Sequence, residues 1–158
     1  MSRALAHFVA TGAGSGYAPV ASGTAGSAVG VLVYWPLAAL SLPLYLATAV
    51  GSIGLAIWSA DVMTRAWATE DDGRIVIDEI AGQLVTLAPL VALGNPRAIG
   101  WVVTGFVLFR CYDVWKPGPV RWLEENLAGG TGVVMDDVLA GVFAAATLAV
   151  LAVAAGRV

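Results

Sequence analysis

The sequence predicts an all-α fold: a polytopic membrane helical bundle of about five apolar helices, with a Gly-rich N-terminal loop and a short interfacial helix, as one domain over residues 1–158. Three observations carry this. Hydrophobic residues make up 59% of the chain and charged ones 12%, with a mean hydropathy of +0.83, where about 25% charged is usual for soluble domains. A water-soluble fold this small could not cover that much apolar surface. No Asp, Glu, Lys or Arg occurs between residues 4 and 60, and the charges that remain come in short clusters between apolar spans.

Residues 11–26 are rich in Gly, Ser and Pro and read as a loop or re-entrant segment. A helix is expected over 27–40, a turn at Ser41-Leu42-Pro43, and a second helix over 44–65. About 20 residues span the hydrocarbon core, so the first helix is short for a crossing and the second comfortable. Pro36 is expected to kink the first, which a membrane helix tolerates when neighbours satisfy the freed carbonyl. Glu70, Asp71, Asp72 and Arg74 mark a charged loop over 68–74. The third helix, 75–93, stops at Gly94-Asn95-Pro96, and the fourth, 97–115, at Lys116-Pro117. Over 119–127, Val120, Leu123 and Leu127 share one side, which suits a short helix lying in the interface. Residues 128–132 read as a flexible loop and 133–155 as the fifth helix.

Five crossings put Arg3, Arg65, Arg74, Lys116 and Arg121 on one side and Arg97 and Arg157 on the other. The positive-inside rule makes the first side cytoplasmic. No basic patch suggests nucleic acid. The single cysteine, Cys111, excludes an internal disulfide framework and is expected to serve packing. With His7 the only histidine, a two-histidine phosphatase and a His-ligated zinc site are excluded. No Arg stands six residues after Cys111, so a cysteine-phosphatase loop is absent as well.

The chemistry therefore falls to carboxylates. Asp78-Glu79 is expected in the first turn of the third helix, Asp136-Asp137 in the first turn of the fifth, and Asp113 in the last turn of the fourth. This topology brings all five to one depth. Acidic residues at helix starts often serve only the helix dipole. Two adjacent like-charged pairs at a membrane edge, however, need a cation or a function to compensate them. Oxygen-only ligands suit a hard cation, Mg²⁺ first. Arg110 and Lys116 would face phosphate, Arg as a planar fork and Lys as a point charge, or would form ion pairs with Asp113. Gly82 and Gly141, about a turn beyond the acidic pairs, would let neighbouring helices approach closely. The run from Gly12 through Gly14, Ser15 and Gly16 to Gly23, Thr24 and Ser27 is either an anion cradle or a tightly packed loop.

At these residues the chain resembles the phosphatidylglycerophosphatase A family over nearly its whole length. The motifs are Gly14-Ser15-Gly16 with Pro19, Gly23-Thr24 with Gly26-Ser27, Asp78-Glu79 with Gly82, and Phe109-Arg110 with Asp113. Trp115-Lys116-Pro117 with Pro119 follows, and then Gly129-Gly130 and Gly132 before Asp136-Asp137 and Gly141. Ser22 departs from the family's usual Pro before Gly-Thr, which loosens the loop but removes no ligand. The resemblance implies a Mg²⁺-dependent phosphatase of the bacterial cytoplasmic membrane that converts phosphatidylglycerophosphate to phosphatidylglycerol, its site facing the cytoplasm. A small transporter or ion-conducting bundle is the rival reading, but a pathway needs polar residues through its depth, and these charges lie on one side. The spaced Asp pattern of CDP-alcohol phosphotransferases is not found in the chain.

Overall fold

The computed structural model describes residues 2–69 and 72–156. Among them are seven α-helices and no strand: α1 Arg3–Ala10, α2 Ser22–Leu37, α3 Leu42–Trp67, α4 Ile77–Ala92, α5 Ile99–Trp115, α6 Gly118–Asn126 and α7 Gly129–Ala154, with a short 3₁₀ turn at Ser15–Tyr17. Of the expected charged loop, Glu70 and Asp71 lie outside the described residues, as does Arg157.

The five expected apolar helices correspond to α2, α3, α4, α5 and α7. Only α3 and α7, 26 residues each, are long and apolar enough to cross a membrane by length and composition. At about 1.5 Å per residue the 16 residues of α2 and of α4 and the 17 of α5 reach only about 24–26 Å, short of a hydrocarbon core of about 30 Å. Pro36 lies in the last turn of α2, where it shortens the helix rather than kinking its middle.

The two largest differences from the expected boundaries fall in Gly-rich stretches. The loop expected over 11–26 ends earlier, because α2 already begins at Ser22. The stretch expected to be a flexible loop at 128–132 is instead the first turn of α7. A Cβ at Gly130 would run into the backbone of α3 at Ile57 and Asp61. These glycines therefore let α7 touch α3 closely, and tertiary contact overrides their weak helix propensity. Helix α1 carried a signal the composition obscured: Ser2 caps it by accepting from the Leu5 N–H at 3.3 Å, and Ala6 and Ala10, four apart, are its buried stripe.

Helix α4 is the hub, packing against α2, α3, α5 and α7. Ten of its 16 residues are buried, so it reads as a core helix rather than a lipid-facing one. One apolar cluster around Met63, Ile77, Ile80 and Val134 sits at the end where α4 begins, and a second around Tyr34, Tyr45, Leu84, Leu87 and Leu148 sits at the other. The deep tyrosines satisfy their hydroxyls on backbone: Tyr45 donates to the Leu84 carbonyl at 2.6 Å and Tyr34 to that of Pro96 at 2.5 Å. Facing outward instead are large apolar residues such as Val20, Leu32, Val50, Val114 and Val150.

Helices α4 and α7 meet backbone to backbone. A Cβ on Gly141 would stand 2.6 Å from the Gly82 carbonyl, and one on Gly82 would meet the Phe109 ring at 2.6 Å and the Asp137 carbonyl at 2.8 Å. The close approach expected of these two glycines is thus the α4–α7 crossing, and it sets Asp78-Glu79 beside Asp136-Asp137. Thr86 seals it, donating to the Gly82 carbonyl at 2.9 Å with that of Gly141 at 3.4 Å.

Candidate active site

The start of α4, the end of α5, α6 and the early turns of α7 enclose a cleft of about 250 Å³. Asp78, Glu79, Asp113, Lys116, Asp136 and Asp137 all line it, with Ser22, Glu124 and apolar Ile75, Leu127 and Val133. Each carboxylate is held there by local geometry. Asp78 accepts from the Glu79 N–H at 3.0 Å, and Asp136 accepts from the Asp137 N–H at 3.0 Å, so each pair has its first carboxylate tied back to the helix and its second turned free of that contact.

The placement of the second pair strengthens the functional reading. Because α7 starts at Gly129, Asp136 and Asp137 lie two turns into the helix rather than in its first turn. Stabilisation by the helix dipole fades within that first turn, so it does not explain two acids that are each 5% exposed.

Asp78, Glu79 and Asp137 converge, with one oxygen from each within 4.8 Å of the others. Glu79 keeps a second buried oxygen, Oε2, without a hydrogen-bond partner. Three all-oxygen ligands around one point fit a hard divalent cation. The other two acids are engaged with cations of the chain. Asp113 pairs with Arg110 at 2.5 Å, and Asp136 pairs with Lys116 at 2.9 Å.

The two cations therefore play different parts. Lys116 ends α5 in the left-handed region at φ 46° and lines the cleft, its Nζ donating to Glu124 at 2.6 Å and to Asp136. Burial of the ammonium by itself lowers its pKa, but the bonds to Glu124 and Asp136 outweigh this and push it up, so Lys116 stays charged. Arg110 is not among the residues lining the cleft; besides Asp113 it donates to the Ser27 hydroxyl at 3.4 Å.

Of the expected cradle, only part reaches the acids. A Cβ at Gly23 would collide with Glu79 Oε1 and lie 3.2–3.3 Å from both terminal nitrogens of Arg110. Ser27, one turn on, is fully buried and donates to the Gly23 carbonyl at 2.9 Å. Thr24 points to the exposed side. Gly14, Ser15 and Gly16 are not brought to the cleft. Gly14 precedes and Ser15 and Gly16 begin the 3₁₀ turn, whose Gly16 abuts the Arg74 carbonyl, while the Val76 N–H donates to the Ala10 carbonyl at 2.9 Å. That turn braces the segment leading into Asp78. The same segment is pinned by Arg74, which lies 4.0 Å over the Trp67 ring and donates to Asp72; those bonds hold the Asp72 carboxyl below its usual pKa.

Sequence reasoning did not single out Glu124, and it noted Ser22 only within the Gly-rich run, as a departure from the family pattern. Glu124 falls on an otherwise ordinary amphipathic helix, and only the fold of α6 against α7 brings it to Lys116. Cys111, expected to pack, is exposed.

Gly23→Ala tests the close approach. Both groups it would strike are ends of flexible side chains, so the fold is expected to survive. Displacement of Glu79 and Arg110 should lower kcat/KM by about tenfold or more, since about 1 Å of misplacement can cost on the order of 10²-fold. Kinetics beside a thermal melt would separate the two effects.

Buried carboxylates able to hold a hard cation, next to a braced lysine, suit hydrolysis of a phosphate ester, and α3 and α7 are long and apolar enough to cross a membrane. Comparison with known proteins agrees. The chain belongs to the phosphatidylglycerophosphatase A family, whose model matches residues 8–152, and it is a phosphatase. It is 35% identical over 142 residues to phosphatidylglycerophosphatase A of Escherichia coli strain K12, covering 90% of this chain and 80% of that one. The same-named protein of Haemophilus influenzae is 34% identical over 139 residues, covering 87% and 83%. A Bacteroides thetaiotaomicron protein named as a candidate phosphatidylinositol-3-phosphatase is 40% identical over 148 residues, covering 90% of each. No solved structure matches the chain.

Proposed function

We propose that this protein is a Mg²⁺-dependent, multi-pass phosphatase of the bacterial cytoplasmic membrane. It removes the terminal phosphate of phosphatidylglycerophosphate to give phosphatidylglycerol, the last step in making that phospholipid. The convergence of Asp78, Glu79 and Asp137 beside Lys116 is the observation that carries the reading. Family membership over residues 8–152 and the two relatives named for this activity supply the substrate.

Asp78, Glu79 and Asp137 would hold Mg²⁺, with Asp113 and Asp136 beside them. When bound, the ion supplies charge neutralisation at the phosphoryl oxygens and lowers the pKa of the attacking water. The chain's own residues do the rest. Lys116, kept protonated by Glu124 and Asp136, offers a fixed positive charge to the phosphate, and a preorganised charge in a dry cleft stabilises the transition state more than one in water. Asp113 and Ser27 lock the Arg110 guanidinium, so that a small turn toward the cleft would add a second cation. Ile75, Leu127 and Val133 limit water. Lipid tails would stay in the bilayer between outward apolar faces while the headgroup enters from the cytoplasmic side, where the basic residues cluster. With α4 largely buried, the short helices would cross a locally thinned or protein-lined layer, a modest cost per ångström of mismatch. A transporter is disfavoured because the polar cleft sits at one end of the bundle.

The test is phosphate release by purified protein from phosphatidylglycerophosphate and, because of the Bacteroides relative, from phosphatidylinositol 3-phosphate. Release from the first that stops on chelation and returns with MgCl₂ is expected. Undiminished release with chelator would remove the metal role, and release from the second lipid alone would reassign the substrate.

A further inference from the structure

One polar side chain is buried in this fold with nothing to satisfy it. Gln83, on α4, is fully buried, and both its amide nitrogen and its amide oxygen lack hydrogen-bond partners. A glutamine amide offers two donors and an acceptor with two lone pairs, and buried polar groups are nearly always satisfied, by ordered water where the protein offers no partner. The position could have been filled by an apolar residue, as Leu84, Leu87 and Leu90 fill their places on the same helix.

Its surroundings say what the amide serves. Gln83 lies four residues after Glu79, on the same helix face. The facing elements of α2 run in step with it: Gly23 meets Glu79 Oε1, and Gly30 meets the Gln83 side chain, where a Cβ would stand 2.8 Å from Gln83 Cβ and 3.1 Å from Cγ. Ser27 lies between those glycines on α2, buried and linked to Arg110. Glu79 Oε2 is likewise buried and unpartnered. Two orphaned groups on successive turns of α4 are what a single bridging water satisfies, since such a water needs two to four polar partners.

We propose that Gln83 is a positioning residue for Glu79, its amide holding Oε2 through a buried water and so fixing the rotamer that sets this carboxylate against Asp78 and Asp137. This inference rests on the divalent-cation reading above. Outer groups that orient a ligand typically set metal affinity by about 10- to 100-fold. Gln83 does not line the cleft, so it touches neither substrate nor cation. Its effect must pass through Glu79.

The experiment titrates MgCl₂ into purified wild-type, Gln83→Met and Gln83→Leu proteins by calorimetry, with metal-free thermal melts alongside. Both variants fill the space with apolar atoms and remove the amide together with its bridge to Glu79. Expected are a cooperative metal-free melt with a Tm at or somewhat below wild type, because the lost bridge leaves Glu79 Oε2 unsatisfied, and a Mg²⁺ Kd about 10- to 100-fold weaker, with kcat at saturating MgCl₂ recovering toward wild type. Wild-type affinity in the variants would overturn the proposal. So would a kcat that stays low at saturating MgCl₂ in both, because that marks damage to the site beyond weakened binding of the ion. If wild type itself binds no Mg²⁺, the cation reading fails and carries this inference with it, an outcome distinct from failure of Gln83 alone.

Discussion

Asp137→Asn is expected to reduce phosphate release by about a thousandfold or more, on the order of 4 kcal/mol of transition-state stabilisation, while leaving the fold intact. Asp137 is 5% exposed and offers an oxygen within 4.8 Å of oxygens of Asp78 and Glu79. At an effective dielectric of about 20, two unit charges at that distance repel by about 3–4 kcal/mol. In the absence of a cation, removing one charge relieves repulsion, so the metal-free Tm of the variant should equal or exceed that of wild type. In MgCl₂ at about 100 times Kd, wild type should gain about 2.7 kcal/mol of stability by mass action, and the variant little of it. Melts with and without MgCl₂, together with the lipid assay, check both halves. A variant that keeps its turnover would remove Asp137 from the site; one that loses turnover and also melts earlier without metal would make it a structural acid.

The second large effect is expected from the α4–α7 crossing. At Gly141 an added Cβ meets the Gly82 carbonyl at 2.6 Å and its carbonyl carbon at 3.2 Å, and both are backbone, which cannot rotate away. Gly141→Ala should force the helices apart, at a cost of about 1–3 kcal/mol for overpacking. Activity should fall as well as stability, because the same crossing sets Asp137 against Asp78 and Glu79. A decrease of about 10²-fold in kcat/KM is expected, and Gly141→Val should yield little folded protein. A thermal melt in detergent and the lipid assay separate these outcomes. An alanine variant with wild-type kinetics would show that the spacing of α4 and α7 does not govern the site.

The five apolar helices were readable from their long uncharged spans and from the breaks at Pro43, Pro96 and Pro117, because those signals are local. All five acids and Lys116 were readable as one group, because charge is so rare in this chain that each cluster is conspicuous. Residues whose role depends on a partner far along the chain were not readable. Glu124 looks like any charge on a surface helix until α6 folds it onto Lys116. Gly14, Ser15 and Gly16 look like an anion cradle until the 3₁₀ turn packs on the backbone of Arg74.

The grouping of the charges at one end of the bundle thus followed from residue types and their rarity: five carboxylates with Lys116 beside them. Which acids meet was a tertiary matter. The chain contains five acids at similar depth, and nothing in their spacing says that Asp113 turns to Arg110 and Asp136 to Lys116 while Asp78, Glu79 and Asp137 turn to one another. That sorting is decided by the glycine contacts of α2 with α4 and of α4 with α7, where a missing Cβ allows backbones to touch and so fixes the rotation of each helix about its axis. Helical periodicity specifies a face, and only the neighbour packed against it specifies what that face meets.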